Sequence, residues 1–161
     1  MKRYSYLVIL LLVPFTALLA QTGGKQPGYS AGFFIVNADD SGKGMQLADS
    51  KEYYSVRKND SVSFANIDTV YKHFDPGMKK YVLSFRFNKT GAKELADLTK
   101  NYNGKKIGLV IGDKLITVAT IYSPITFGRV NISGNHTEEE IDYLIKEMNG
   151  AIKKLRSSAT K

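Results

Sequence analysis

Few side chains in this sequence have the types and spacing that catalysis requires. The two histidines, His73 and His136, share no motif, and neither stands at the spacing of a metal site. Ser133 lies in Ile-Ser-Gly-Asn, which is not the Gly-x-Ser-x-Gly turn that exposes a catalytic serine. The sequence contains no cysteine, which excludes disulfides, thiol catalysis and cysteine-ligated metals. We therefore expect no enzyme activity, no bound metal and no cofactor.

The acidic clusters have structural explanations. Asp39 and Asp40 lie in a turn-rich loop over residues 37–44, which lacks the spacing of a calcium loop or a phosphate loop. The run of three glutamates at 138–140 follows Thr137, and Thr137 with Glu140 forms a capping box at a helix start. Neither cluster requires a catalytic role.

With no catalytic or metal-binding motif in the sequence, binding of another molecule is the function that the remaining residues suggest. Tyr122, Phe127 and Arg129 follow one another closely in the sequence, and aromatic residues and arginine are enriched at interfaces. We predict that these three residues contact a polypeptide or a partner protein. The alternative for Tyr122 and Phe127 is a place in the hydrophobic core.

Hydrophobic periodicity indicates the elements that would position these residues. The pattern predicts a strand over 80–87, a helix over 88–102, a hairpin of strands 105–111 and 114–121, a strand over 127–132 and a helix that begins at Thr137. Earlier in the chain we expect strands over 32–36 and 52–57, whereas 62–70 fits either a short helical turn or irregular structure. We predict an α+β domain over 32–156, with a single mixed or antiparallel sheet, two helices packed on one face, and a frayed tail over 157–161.

The first 20 residues differ from the rest. Lys2 and Arg3 precede an uncharged apolar run over 7–20, which is the pattern of a secretory signal peptide and is short for a transmembrane helix. We expect cleavage near Ala20, with an uncleaved anchor as the alternative, and a flexible glycine-rich linker over 21–31.

The net charge bears on possible partners. The formal charge is +8, and a basic exported protein can make weak contact with an anionic membrane surface. The basic residues are scattered as pairs, so a solvated surface is the alternative. Export separates the chain from nucleic acid, and we expect no nucleic-acid partner.

Three segments occur in a recognisable order. They are VLSFRFNKTGAKELADLT, GKKIGLVIGDKLITVATIYSPI and GRVNISGNHTEEEIDYLI. Together they resemble the head subdomain of the first periplasmic domain of SecD and SecDF, which are export-assisting subunits of the bacterial Sec system. The hairpin turn differs, because Gly112-Asp113 stands where that family has Asp-Gly, and His136 replaces an aromatic residue.

The resemblance implies a non-enzymatic module in the periplasm or at the surface of a bacterium, without the membrane region of SecD. That head is thought to contact emerging unfolded protein, so the expected partners are unfolded polypeptide, a partner protein or translocon components. The alternatives are a structural or assembly protein of the envelope and a hydrolase of envelope polymers. The first predicts one stoichiometric complex, and the second predicts loss of activity when His73 or His136 is replaced.

Overall fold

The computed structural model describes residues 31–134 and 136–159, so the predicted signal peptide over 1–20 and the linker up to residue 30 lie outside the described residues. In chain order the elements are β1 (Gly32–Ala38), β2 (Met45–Gln46), β3 (Tyr53–Ser63), a 3-10 turn (Phe64–Asn66), β4 (Ile67–Asp75), β5 (Lys80–Phe87), α1 (Lys89–Asn101), β6 (Lys106–Ile111), β7 (Lys114–Thr120), β8 (Arg129–Ile132) and α2 (Glu138–Ala159). Within these residues, neither helix is long and apolar enough to cross a membrane.

Five strands form the large sheet, in the order β2-β3-β1-β6-β7, with every neighbouring pair antiparallel. The sheet curls until its two ends meet at a parallel bridge between Leu47 and Leu115, where the Ala48 N–H also donates to the Leu115 carbonyl at 2.8 Å. The curled interior holds a small apolar cluster that includes Phe34 and Val36. Both faces of β1 are therefore buried.

Three strands form the small sheet, in the order β4-β5-β8, again antiparallel. The chain passes from the large sheet to the small one at the 3-10 turn. Ser63 caps this turn by accepting a hydrogen bond from the Ala65 N–H at 3.2 Å, and Phe64 is completely buried beneath it. The turn thus places β3 and β4 in different sheets although they are almost continuous in sequence.

The main core lies between the two sheets and both helices. α1 packs against β3 and β5, and α2 packs against β4, β5, β6 and the 3-10 turn. Phe33, Phe64 and Phe85 stand at its centre with ring centroids 5.1–6.1 Å apart. The helix predicted to begin at Thr137 is confirmed, and its apolar side contributes six residues to this core: Ile141, Leu144, Ile145, Met148, Ile152 and Leu155.

The helix ends follow the expected local chemistry. Asn88 caps α1 by accepting a hydrogen bond from the Gly91 N–H at 2.8 Å. The capping box of α2 is confirmed in both directions, since the Thr137 N–H donates to the Glu140 carboxylate at 2.8 Å and the Glu140 N–H donates to the Thr137 hydroxyl at 3.2 Å.

The predicted α+β class is confirmed, and two details differ. The strands divide into two sheets where a single sheet was expected, because the chain leaves the large sheet at the 3-10 turn. The second helix continues to Ala159 where a tail was expected from 157, and the hydroxyls of Ser157 and Ser158 both donate to the Lys154 carbonyl at 2.8 Å. Ala31, which was expected to belong to the linker, is buried, and its carbonyl accepts from the Phe64 N–H at 3.0 Å.

Candidate polypeptide-binding site

A groove separates the end strand of the large sheet from the end strand of the small sheet. Residues 117–120 of β7 line one wall, Val130 to Ile132 of β8 line the other, and Phe33 and Leu109 lie at its base. The cavity has a volume of about 430 Å³. Among the described residues, the strand order leaves the outer sides of β8 and of β7 beyond the Leu47–Leu115 bridge without a neighbouring strand. Free backbone groups therefore border an apolar base, the arrangement to which an extended chain adds by strand pairing.

The loop from β7 to β8 is fixed to α1. The Ile125 N–H donates to the hydroxyl of Thr99 at 2.8 Å, and that fully buried hydroxyl donates in turn to the Leu95 carbonyl at 2.7 Å. Gly128 has φ +61°, and a Cβ there would lie 2.6 Å from the Cβ of Ala92. These contacts hold the loop close to the helix and set the direction in which β8 begins.

The structure places the three predicted site residues around this loop. Tyr122 lines the groove and is 85% exposed, and Phe127, two residues before β8, is 90% exposed. Arg129 is exposed at the start of β8, on the face turned away from the core. Neither aromatic ring lies in the hydrophobic core. Tyr122 borders the groove directly, whereas Phe127 and Arg129 lie beside it.

A row of polar side chains crosses the outer face of the small sheet. The sequence did not predict that these side chains contact one another. The Ser84 hydroxyl donates to the Asn131 amide oxygen at 2.9 Å, and the His73 Nδ1 lies 3.0 Å from the same hydroxyl. The Asn131 side chain, the Ser84 hydroxyl and the His73 imidazole therefore form one hydrogen-bonded row. Ser84 is 1% exposed, so its hydroxyl is covered from solvent.

The other histidine and the start of α2 have structural contacts. His136 lies 3.7 Å from the Glu140 carboxylate, and Lys72 Nζ lies 2.7 Å from carboxylate oxygens of both Glu138 and Asp142. The hydrogen bonds that Lys72 donates to Asp142, first, and to Glu138 raise the pKa of Lys72 above its usual value of 10.5. Lys72 thus ties β4 to the first turn of α2. No group of side chains suited to a metal ion occurs within the described residues.

Comparison with known proteins assigns the chain to a family. The family described as "SecDF, P1 head subdomain" matches residues 41–152, which is most of the chain and includes both walls of the groove. The chain belongs to this family. The match runs from the loop after β1 to Ile152 in α2.

Relatives and solved structures agree with this assignment. The chain is 34% identical over 96 residues to protein translocase subunit SecD of Rickettsia bellii and 32% identical over 114 residues to that of Rickettsia conorii, covering 60% and 70% of this chain. It spans only 18% and 20% of the length of those two proteins. The same fold occurs in a crystal structure of SecDF in a super-membrane-facing form, with TM-score 0.56, 19% identity, and coverage of 75% of this chain and 19% of that one. A structure of a membrane component SecDF that enhances protein export gives TM-score 0.54 and 17% identity, with coverage of 75% and 63%.

Proposed function

We propose that this SecD-head-like protein is a non-enzymatic binding module of the bacterial envelope that holds extended polypeptide or a partner protein during protein export. The groove between β7 and β8 carries the proposal, because it combines two free strand edges with an apolar base. Backbone pairing supplies affinity for any extended sequence, and the apolar base favours chains with exposed hydrophobic side chains. One structural neighbour is a membrane component SecDF that enhances protein export, and such a role agrees with an unfolded polypeptide as ligand.

The groove fits a short extended segment. β8 has four residues, and a strand advances about 3.3 Å per residue, so pairing along its whole length covers about 13 Å. Tyr122 at the rim of the groove and Phe127 in the loop from β7 to β8 have exposed rings. These rings can pack against side chains of the bound polypeptide that extend beyond the groove. Arg129 adds a positive charge at the start of β8. We assign these three residues to partner contact in this proposal.

The polar row on the small sheet supports a non-enzymatic role. A nucleophilic serine must give its proton to a base and must reach its substrate. Ser84 is 1% exposed and its hydroxyl is bonded to Asn131 as well as to His73, so the pair of Ser84 and His73 fits a structural hydrogen bond. The envelope hydrolase therefore lacks a supporting observation among the described residues.

Photo-crosslinking tests the proposal. A photoreactive amino acid replaces Tyr122 or Phe127 in separate variants, and a third variant carries it at Tyr143, which is 57% exposed on α2 and does not line the groove. The probe is a reduced and alkylated protein that stays unfolded, with its folded, oxidised form as the comparison. We expect adducts with the unfolded form from positions 122 and 127, and few from 143.

Other outcomes would contradict the proposal. Equal crosslinking yields from all three positions would indicate non-specific association with unfolded protein. The absence of adducts from positions 122 and 127 would exclude the groove as the binding site. The same variants in living cells then separate two roles. Many exported chains or translocon subunits among the adducts support export, whereas a single stoichiometric partner favours a structural or assembly protein of the envelope.

A further inference from the structure

Two arginines stand side by side on the outer face of the small sheet. Arg86 of β5 and Arg129 of β8 are direct cross-strand partners, and both are exposed. Arg86 donates to the hydroxyl of Thr69 at 3.0 Å, and Tyr71 follows on the same side of β4 with an exposed ring. We call these four residues the arginine face. It lies on the opposite side of β8 from the main core.

The charge of this face is uncompensated. The ion pairs found among the described residues include neither Arg86 nor Arg129. Like charges directly opposite each other on neighbouring strands destabilise a sheet. At the other end of β5, the charged cross-strand neighbours Lys80 and Asp75 both have protein partners, since Lys80 Nζ donates to the Gly134 carbonyl at 3.3 Å and the Asp75 carboxylate accepts from the Gly77 N–H at 2.8 Å. The two adjacent guanidinium charges, in no ion pair found among the described residues, point to an external anion at the arginine face.

We propose that the arginine face binds an acidic segment of a partner protein, with carboxylates on Arg86 and Arg129. A guanidinium group binds a carboxylate through two parallel hydrogen bonds, which a flat sheet face leaves accessible. Exposed rings at Tyr71, and at Phe127 two residues before Arg129, offer contacts for the apolar side chains of such a segment. The inference rests on the proposed partner-binding function and adds the chemistry of the partner.

A membrane surface fits this face less well. Binding to anionic lipids typically uses clusters of about four to eight basic residues. The arginine face has two, and the same side of the sheet also carries the hydrogen-bonded row of His73, Ser84 and Asn131. Short-range recognition of carboxylates therefore suits the arrangement better than attraction to a charged plane.

Side-chain NMR of the full chain provides the test. The probe is an acetylated, amidated peptide that alternates phenylalanine with aspartate and glutamate, and its control replaces the acids with asparagine and glutamine. We expect the acidic peptide to shift the Nε–Hε signals of both arginines. We also expect the double variant R86Q/R129Q to weaken binding about tenfold or more, as loss of hydrogen bonds to charged groups does. The variant K153Q/K154Q removes the same charge from the exposed side of α2 and should bind normally.

Each opposite result would overturn the inference. Equal weakening of binding in both double variants would mean that net charge alone attracts the peptide. Equal binding of the acidic peptide and its amide control would show that the carboxylates are not recognised. Arginine-dependent binding to vesicles of phosphatidylcholine and phosphatidylglycerol, without peptide binding, would assign the face to lipid. Crosslinking from Tyr122 in the single variant R86Q keeps the two proposals apart, because Arg86 does not line the groove and groove binding should persist when its guanidinium is lost.

Discussion

Replacement of Phe127 by alanine should separate binding from folding. The ring is 90% exposed, so about one tenth of its surface is buried. Full burial of a phenylalanine side chain is worth about 1.5–3 kcal/mol, and one tenth of that is about 0.2–0.3 kcal/mol. We therefore expect Phe127→Ala to leave the free energy of unfolding almost unchanged, while it reduces capture of unfolded polypeptide.

A core phenylalanine provides the matched comparison. Phe85 is 1% exposed and stacks edge-on against Phe33 at 5.1 Å, so Phe85→Ala should cost about 3–5 kcal/mol. With a urea m-value of about 2 kcal/mol/M, the unfolding midpoint should fall by about 2 M for Phe85→Ala and by about 0.1–0.2 M for Phe127→Ala. The assay is urea unfolding followed by circular dichroism.

The same experiment can refute the reasoning. A loss of about 1 kcal/mol or more for Phe127→Ala would mean that the ring packs against the protein in solution. Phe127 would then belong to the core, the alternative that the sequence left open. Unchanged stability with unchanged capture would instead remove Phe127 from the binding site and leave the fold as described.

Three further results should follow. Ser84→Ala should cost about 1–3 kcal/mol in urea unfolding, because the histidine and asparagine on either side lose a buried partner; a neutral effect would mean that the polar row is dispensable. Gly128→Ala should cost about 1–3 kcal/mol from its positive φ and its close approach to α1. Gly112 has a similar φ but open space around it, so Gly112→Ala is the control. An equal loss of stability there would show that the contact with α1 does not contribute to the cost of Gly128→Ala. Finally, the raised pKa of Lys72 stabilises the fold fully below about pH 10.5, and this contribution is lost as the pH rises above that value. Lys72→Gln should therefore flatten the alkaline fall in unfolding temperature, and an unchanged slope would show that the ion pair does not contribute.

Local patterns in the sequence predict the second half of the fold well. The strand over 80–87, the helix that begins at Thr137 and its capping box each depend on residues close together in the chain, and all three are confirmed. The hairpin of β6 and β7 also forms around Gly112, whose φ of +59° suits a tight turn. Residue propensity and hydrophobic spacing are sufficient to predict a helix or strand whose structure depends mainly on residues close together in the chain.

The first half depended on distant partners. The interval 62–70 was left open because it holds the end of β3, the 3-10 turn and the start of β4, and no single period spans all three. The sequence predicts individual residues of the proposed binding region but not which of them lie next to each other. Arg129 is predicted as a partner contact, whereas its cross-strand neighbour Arg86 is found only through the register between β5 and β8. The row through Ser84 likewise needs β4, which the sequence did not predict.

The central place of β1 in the large sheet has a consequence for the speed of folding. Phe34 pairs with Ser61 on one side and with Gly108 on the other, so the sheet is completed only when segments far apart in the chain meet. Chains dominated by such non-local contacts fold slowly, because the entropy of closing a long loop is lost before the contact forms. An N-terminal part that ends before β6 lacks one neighbour of β1. The chain should therefore remain open until late in synthesis, and a burst of early protection from hydrogen exchange is expected in the β6–β7 hairpin and α1 rather than in β1.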